Sequence, residues 1–299
     1  MENKNNSRRE FIKKSSLTGL GAALGMGLAL PACSQPVFNA DPSDTDKILS
    51  IKPRYHRWHV DPGVEWLETN TGYANLDWKI PMVQTAIVLL DVWQRHYIKE
   101  PEERAEEIIN NKYLPLLAAA RKAGMPIIHA PSSSVAVKHP NWVKLVSNDE
   151  LDPKYDNWPP KQFINLSGPY QAYQRPFEPR EAERMALPEL TFHPKVLPAK
   201  SEPVVANGEE LHRYCKKKGI LFLIFAGFNT NACIINKDYG TLQMFNRGYG
   251  VVLLRDCTTG MESKESQPTL AQTNNAILLL EMFGQYSLTS DELIAGLPA

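Results

Sequence analysis

The sequence predicts a three-layer α/β/α domain on a mostly parallel, doubly wound sheet, and three observations point there. Segments of strand character alternate with segments of helical character along the chain. The strand segments are continuous apolar runs, as strands buried on both faces require. Of the 299 residues, 43% are hydrophobic and 22% charged, an ordinary globular balance that excludes disorder.

The elements follow in order. Thr85-Ala86-Ile87-Val88-Leu89-Leu90-Asp91 is an apolar run closed by an acid and reads as the first strand. Pro101 to Gly124 reads as a helix, with Pro and Glu early and Gly124 as its stop. Met125-Pro126-Ile127-Ile128-His129 is a second short strand, and Lys195-Val196-Leu197-Pro198-Ala199 a weak third. Asn207 to Lys218 is a helix capped by Asn207 and ended by Gly219. Ile220 to Ala226 is a strong fourth strand, followed by a helix from about Cys233 to Arg247, stopped by Gly248. Tyr249 to Arg255 is the next strand, Pro268 to Phe283 the last helix, and Tyr286-Ser287-Leu288 a short edge strand. The β–α–β order predicts parallel pairing with helices on both faces. Residues 51–84 are aromatic and irregular and find no place in the sheet. Residues 140–194, rich in Pro, Trp and Tyr, read as an insertion or lid in which Tyr155, Trp158, Tyr170 and Tyr173 close over a ligand or build a subunit contact.

Charge narrows the partners. Lys+Arg and Asp+Glu are both 33, so the net charge is zero and the basic excess of a nucleic-acid binder is missing. The partner expected is a small molecule.

In open α/β sheets ligands bind beyond the carboxyl ends of the strands. Asp91 after the first strand, Lys200 after the third and Cys233 past the fourth bring an acid, an amine and a thiol to that edge. Singly, each has a plain explanation: Asp91 caps a helix, Lys200 is solvated, Cys233 is a small core residue.

The local sequences decide between these. Gly227-Phe228-Asn229-Thr230-Asn231-Ala232-Cys233-Ile234 resembles the nucleophile loop of the isochorismatase-like cysteine hydrolases, with Gly, Thr and Cys at the family's spacing. The strand ending in Asp91 resembles that family's first strand. Lys200 is followed by Gly208 and Leu211 at the family's intervals, and Asp238, Arg247-Gly248-Tyr249 and Asp256 repeat its later pattern. The resemblance covers about residues 83–295. It departs at Val204, Val205 and Ala206, where the family has small residues and Phe, and at Trp93-Gln94 in place of a Gln close after the Asp.

The resemblance implies a Rossmann-like hydrolase fold with an Asp91-Lys200-Cys233 triad. Cys233, at the start of a helix and beside Lys200, would be held as thiolate. Asp91 would take the thiol proton and return it to a departing amine. Attack on an amide-type carbonyl gives an oxyanion, then a thioester that water cleaves. The backbone N–H groups of Asn229 and Cys233 are the oxyanion donors expected, with a cis peptide between Phe228 and Asn229 aiming the first. Trp93, His129 and Phe228 are placed around the substrate. Relatives are commonly oligomeric, so a homo-oligomer is implied.

No cofactor and no metal are expected. Nicotinamidases, one branch of the family, bind a metal through Asp-x-His near the second strand's end. Here that stretch reads His129-Ala130-Pro131-Ser132-Ser133-Ser134, without the Asp. His56 and His59 are read as packing or surface residues, since a metal site needs further convergent ligands. Cys215 and Cys257 fall at opposite ends of the strands, too far apart for a disulfide.

The chain's start carries a different message. Ser7-Arg8-Arg9-Glu10-Phe11-Ile12-Lys13 resembles a twin-arginine export signal, and the Gly-rich apolar stretch Leu17 to Ala32 reads as its hydrophobic region. Leu30-Pro31-Ala32-Cys33 resembles a lipoprotein cleavage box, although Pro31 departs from the small residue usual there. This divides the chain into a signal peptide (1–32), a polar tether (33–50) and one hydrolase domain (51–299). Lipidation at Cys33 would be its only membrane contact, on a periplasmic or membrane-anchored protein.

The leading expectation is therefore an exported thiol hydrolase cleaving a C–N bond of a small amide, urea or carbamoyl compound. Members acting on the ether-like bond of isochorismate do not rely on this Cys. The alternative is a lipid-anchored binding protein on the same fold without turnover. Phosphoryl transfer by Asp91 wants a second Asp where Trp93 stands, and no Gly-rich turn after the first strand supports a dinucleotide enzyme.

Overall fold

Continuous apolar runs form the centre of a seven-stranded sheet in a computed structural model that describes residues 47–147, 150 and 158–298. The signal segment, Cys33 and Tyr155 lie outside the described residues. The strands are β1 (Ile48–Ile51), β2 (Arg54–Arg57), β3 (Gly72–Asn75), β4 (Trp78–Pro81), β5 (Thr85–Leu90), β6 (Ile127–Ala130), β7 (Phe222–Phe228), β8 (Gly250–Thr259) and β9 (Tyr286–Leu288). The larger sheet runs β3-β2-β9-β8-β7-β5-β6, and β1 pairs with β4 separately. Strands β5 to β9 are mutually parallel; β2 joins β9 and β3 antiparallel.

Strand β5 shows why its sequence is apolar throughout. Ile87 and Leu89 enter one core, while Ala86, Val88 and Leu90 enter the other on the opposite face. The first core is closed by α1 (Lys99–Ile108) and α2 (Leu114–Ala123), joined through a π-helical turn at Ile109–Tyr113. After α3 (Ser133–Ala136), the insertion contributes α4 (Lys161–Ile164) and α5 (Glu181–Met185). The second core is closed by α6 (Gly208–Lys218), α7 (Thr241–Asn246) and α8 (Ala271–Met282), and α9 (Ser290–Gly296) returns Leu293 to the first. The result is the three-layer α/β/α architecture. Among the described residues no helix is long and apolar enough to cross a membrane.

The predicted helix stops are present. Asn207 accepts from the Glu210 N–H at 2.8 Å, and Gly219 ends α6 with φ 71°. Gly208 opens α6 because a Cβ there would fall 2.2 Å from the Asp238 carbonyl oxygen, while its N–H donates to the Asp238 carboxylate at 2.7 Å.

Other expectations need correction. Residues 51–84 do enter the architecture: β2 and β3 extend the sheet beyond β9, which is therefore interior rather than an edge. Their four-residue strands are too short to show a clear period. Strand β1 begins at Ile48, inside the segment read as a tether. The weak third strand at Lys195–Ala199 does not form. Val196 turns back to bond the His193 carbonyl, and β6 is bordered instead by a single bridge at Val204. The helix expected from Cys233 to Arg247 is broken between Ile234 and Thr241. Strand β8 runs on to Thr259, so Cys257 lies within it; Cys215 and Cys257 are free thiols in the two opposite cores.

Candidate active site

The carboxyl ends of β5 and β7 are pinned together at Leu90 and Gly227. Gly227 has φ 149°, and a Cβ on it would lie 1.8 Å from the Leu90 carbonyl oxygen, so only glycine fits. Asp91 follows Leu90 with φ 49°, a conformation non-glycine residues rarely adopt. Its N–H is held by the Ala130 carbonyl at 3.1 Å, and its own carbonyl accepts from Trp93 at 2.9 Å. This backbone turn delivers a carboxylate that is only 6% exposed. Beyond β7 the Phe228–Asn229 peptide is cis, and a π-helical turn, Thr230–Ile234, carries Cys233.

Asp91 and Cys233 line one cavity of about 260 Å³. The Asp91 carboxylate accepts from Ser132 Oγ at 3.2 Å and faces Lys237 Nζ at 2.6 Å. Lys237 also donates to Ser132 Oγ at 3.1 Å and to Tyr239 Oη at 2.8 Å. Its three ammonium hydrogens thus have three acceptors, which fixes the side chain. Tyr239 in turn donates to the Pro131 carbonyl at 2.6 Å. Burial pushes the Tyr239 hydroxyl far up, so it stays neutral.

The Cys233 thiol is pushed up to about 11. Burial is the main cause, followed by the negative charge of Asp91 and the hydrogen bond to it. The Lys237 charge and the Asn229 backbone pull the other way. The balance favours the thiol beside the Asp91 carboxylate, whereas the sequence led to the expectation of a thiolate. The turn carrying Cys233 has five residues, too short for the dipole of a full helix.

The sequence-predicted residues divide. Asp91, Cys233, Asn229 and Trp93 line the cavity. Lys200 does not: it is exposed on the loop that replaced the third strand. That loop turns Glu202 inward instead, where it accepts from Arg121 at 2.7 Å and meets His129 Nε2 at 2.8 Å. His129 is therefore committed to Glu202 and lines no part of the cavity. Phe228 is fully buried, packed between Trp93 and Tyr113 at ring separations of 5.1 and 5.9 Å. It supports the Trp93 wall rather than touching a ligand.

Lys237 was not singled out from the sequence. The signal was its position four residues after Cys233, which is one helical turn. Arg95, His96 and Arg184, which also line the cavity, were missed as well. Arg184 arrives on α5 of the insertion, a segment without periodicity to place it. Elsewhere, His56 packs edge-on against Trp58 and Tyr73, and His59 against Trp66.

A family model described as the isochorismatase domain matches residues 85–281. Among solved structures, the chain is similar to a cysteine hydrolase from Pseudomonas syringae pv. phaseolicola 1448A, at 16% identity and TM-score 0.47, covering 73% of this chain and 94% of that one. It is similar to an isochorismatase from Pseudomonas putida KT2440 at 19% identity and TM-score 0.41, covering 70% and 90%. An isochorismatase family protein from Desulfovibrio vulgaris matches at 16% identity and TM-score 0.43, covering 70% and 96%. No curated relative matches the chain.

Proposed function

The chain belongs to the isochorismatase family, and from that membership and the site geometry we propose a cysteine hydrolase that cleaves a C–N bond of a small amide, urea or carbamoyl compound. The observation that carries this reading is one carboxylate, Asp91, engaged with both the Cys233 thiol and the Lys237 ammonium at a cavity wall. Lys237 takes the place in the triad that the sequence offered to Lys200.

In the reaction, Asp91 accepts the Cys233 proton as the sulfur attacks the carbonyl carbon. The S–C bond forms while the C=O π pair moves to oxygen, and the backbone N–H groups of Asn229 and Cys233 receive that oxyanion. When the pair returns, the C–N bond breaks and Asp91 passes its proton to the leaving amine. Asp91 then takes a proton from water as the water attacks the thioester, and the released sulfur recovers that proton. Lys237 offsets the Asp91 charge and the charge developing on sulfur. Burial and the Asp91 charge push the free thiol up, so in this mechanism Asp91 removes its proton in the same step as the attack.

An ammonia-release screen of amides, ureas and carbamates, run beside Cys233→Ala, tests this. Turnover that survives the substitution removes the nucleophile. Ligand binding without turnover, with Cys233 inert, would mark a binding protein instead.

The same proposal places the protein outside the cytoplasm, exported through Arg8-Arg9 and lipidated at Cys33. Replacing both arginines by lysine should retain the protein in the cytoplasm; export of that variant would refute the signal. Palmitate labelling that persists in Cys33→Ala would refute the anchor.

A further inference from the structure

We propose that Arg95 and Arg184 form a carboxylate-binding pair in the cavity of Cys233, so that the ligand of this site is a small amide or carbamoyl compound bearing a carboxylate. The proposal builds on the hydrolase reading but stands on separate observations. Both arginines line the same cavity as Asp91 and Cys233. Both also line a second, broader depression bounded by the insertion, so they stand where the cavity opens towards it.

Neither guanidinium has an acidic partner among the described residues. Arg95 Nη2 is buried and has no hydrogen-bond partner at all. The Arg184 guanidinium lies 5.5 Å from the centre of the Tyr97 ring, a contact that fixes its plane without neutralising it. A buried donor normally finds an acceptor, and Arg95 Nη2 has none; Arg184 is exposed, so its charge is met by solvent until a ligand displaces it.

The cavity supplies no counter-charge. Its one carboxylate, Asp91, is already paired with Lys237. His96 adds no counter-charge: burial pushes its imidazolium down, and its Nδ1 accepts from the Ile98 N–H at 3.0 Å. Arg95 is left without a counter-charge and Arg184, exposed to solvent, stands at the same opening, so the group the two fit is an anion that comes with the ligand. The guanidinium fork matches a carboxylate in paired hydrogen bonds. At about 260 Å³ the cavity is below the ~300–1,000 Å³ usual for drug-sized ligands. The acid and the scissile carbonyl must therefore belong to one small molecule.

The test reads alkylation of Cys233 and not turnover, so it stands or falls apart from the ammonia screen. Two matched pairs of reagents are used: iodoacetate against iodoacetamide, and N-iodoacetylglycine against its primary amide. Peptide mapping separates Cys233 from Cys33 and from the buried Cys215 and Cys257. Each anionic-to-neutral rate ratio is divided by the same ratio measured on glutathione. In the wild type at least one pair should favour the anion about tenfold, the lower end of electrostatic focusing in a charged cleft. Arg95→Met with Arg184→Met should bring the ratio to that of glutathione. Each single variant should lose part of the preference, which keeps the test decisive if the double variant folds poorly. No anion preference in either pair, or a preference that the double variant keeps, would overturn the proposal.

Discussion

Lys237 Nζ lies 2.6 Å from the Asp91 carboxylate, although the two residues come from different strand ends and are far apart in sequence. The contact puts an ammonium beside the acid on which proton transfer depends, and it does so from the segment just after the turn that carries Cys233. Lys200 is exposed and outside the cavity. Lys237→Met should therefore lower kcat by about 10²–10³-fold, the usual cost of removing one preorganised electrostatic group. Lys200→Met should stay within about twofold of wild type, as an exposed substitution remote from the site does. Steady-state kinetics on the best amide from the screen would decide, and the reverse ranking would return the triad to Lys200.

The Asp91 charge raises the thiol and also serves as its base, so removing it should change two rates in opposite directions. In the wild type, alkylation of Cys233 by iodoacetamide should climb about tenfold per pH unit above neutrality and level off only near the thiol value of about 11. Asp91→Asn removes a charge that disfavours the thiolate. Its alkylation profile should shift to lower pH while amide hydrolysis collapses. A profile that moves up, or does not move, would show that Asp91 does not control the sulfur.

The parts of this arrangement that were legible in the sequence were those made by local chemistry. Asn207 and Gly219 mark α6 through a cap and a left-handed stop, and the apolar run Thr85–Leu90 marks a strand between two cores. Gly227 to Cys233 was read through its resemblance to the nucleophile loop of the isochorismatase-like cysteine hydrolases, and at Gly227 the structure supplies a physical reason, the close approach to Leu90. Lys200 misled because it follows a segment read as a strand and stands at the family's intervals before Gly208 and Leu211, whereas the chain turns there to bury Glu202. Lys237 was passed over because its one signal, a place one helical turn after Cys233, gains meaning only once Asp91 is known to face that turn. The arginines of the cavity depend on how the insertion folds back, which is tertiary information throughout.

Gly227→Ala should destabilise the protein by about 4 kcal/mol or more, the range reserved for backbone clashes in a core. Two effects add: a positive φ of 149° and a Cβ 1.8 Å from the Leu90 carbonyl oxygen. The strands it would separate are the two that carry Asp91 and Cys233, so a folded fraction should also have lost hydrolysis. Urea titration against Gly63→Ala gives the control. Gly63 also has positive φ, but its added Cβ would meet nothing within 4 Å. Equal losses in the two variants would show that the close approach at Leu90 does not matter.

Glu202 gives the fold an acid-sensitive joint. Burial alone would raise its carboxyl, but hydrogen bonds from His129, Arg121 and the Ala199 N–H override that and hold it at about 2, below the ordinary 4.5. Burial pushes the His129 imidazolium down, while the Glu202 carboxylate beside it pulls the other way. The folded value lies below the unfolded one. The stabilisation is therefore present above about pH 4.5 and drains away as pH falls from there through about 2. Glu202→Gln should cost about 3 kcal/mol at pH 7, as breaking one side of a buried ionic cluster does. The difference between variant and wild type should shrink steadily as pH drops below 4.5. Thermal melts at pH 7, 4.5 and 3 measure it, and a gap that stays constant or widens towards pH 3 would place the ionised Glu202 outside the forces that hold this loop against β6.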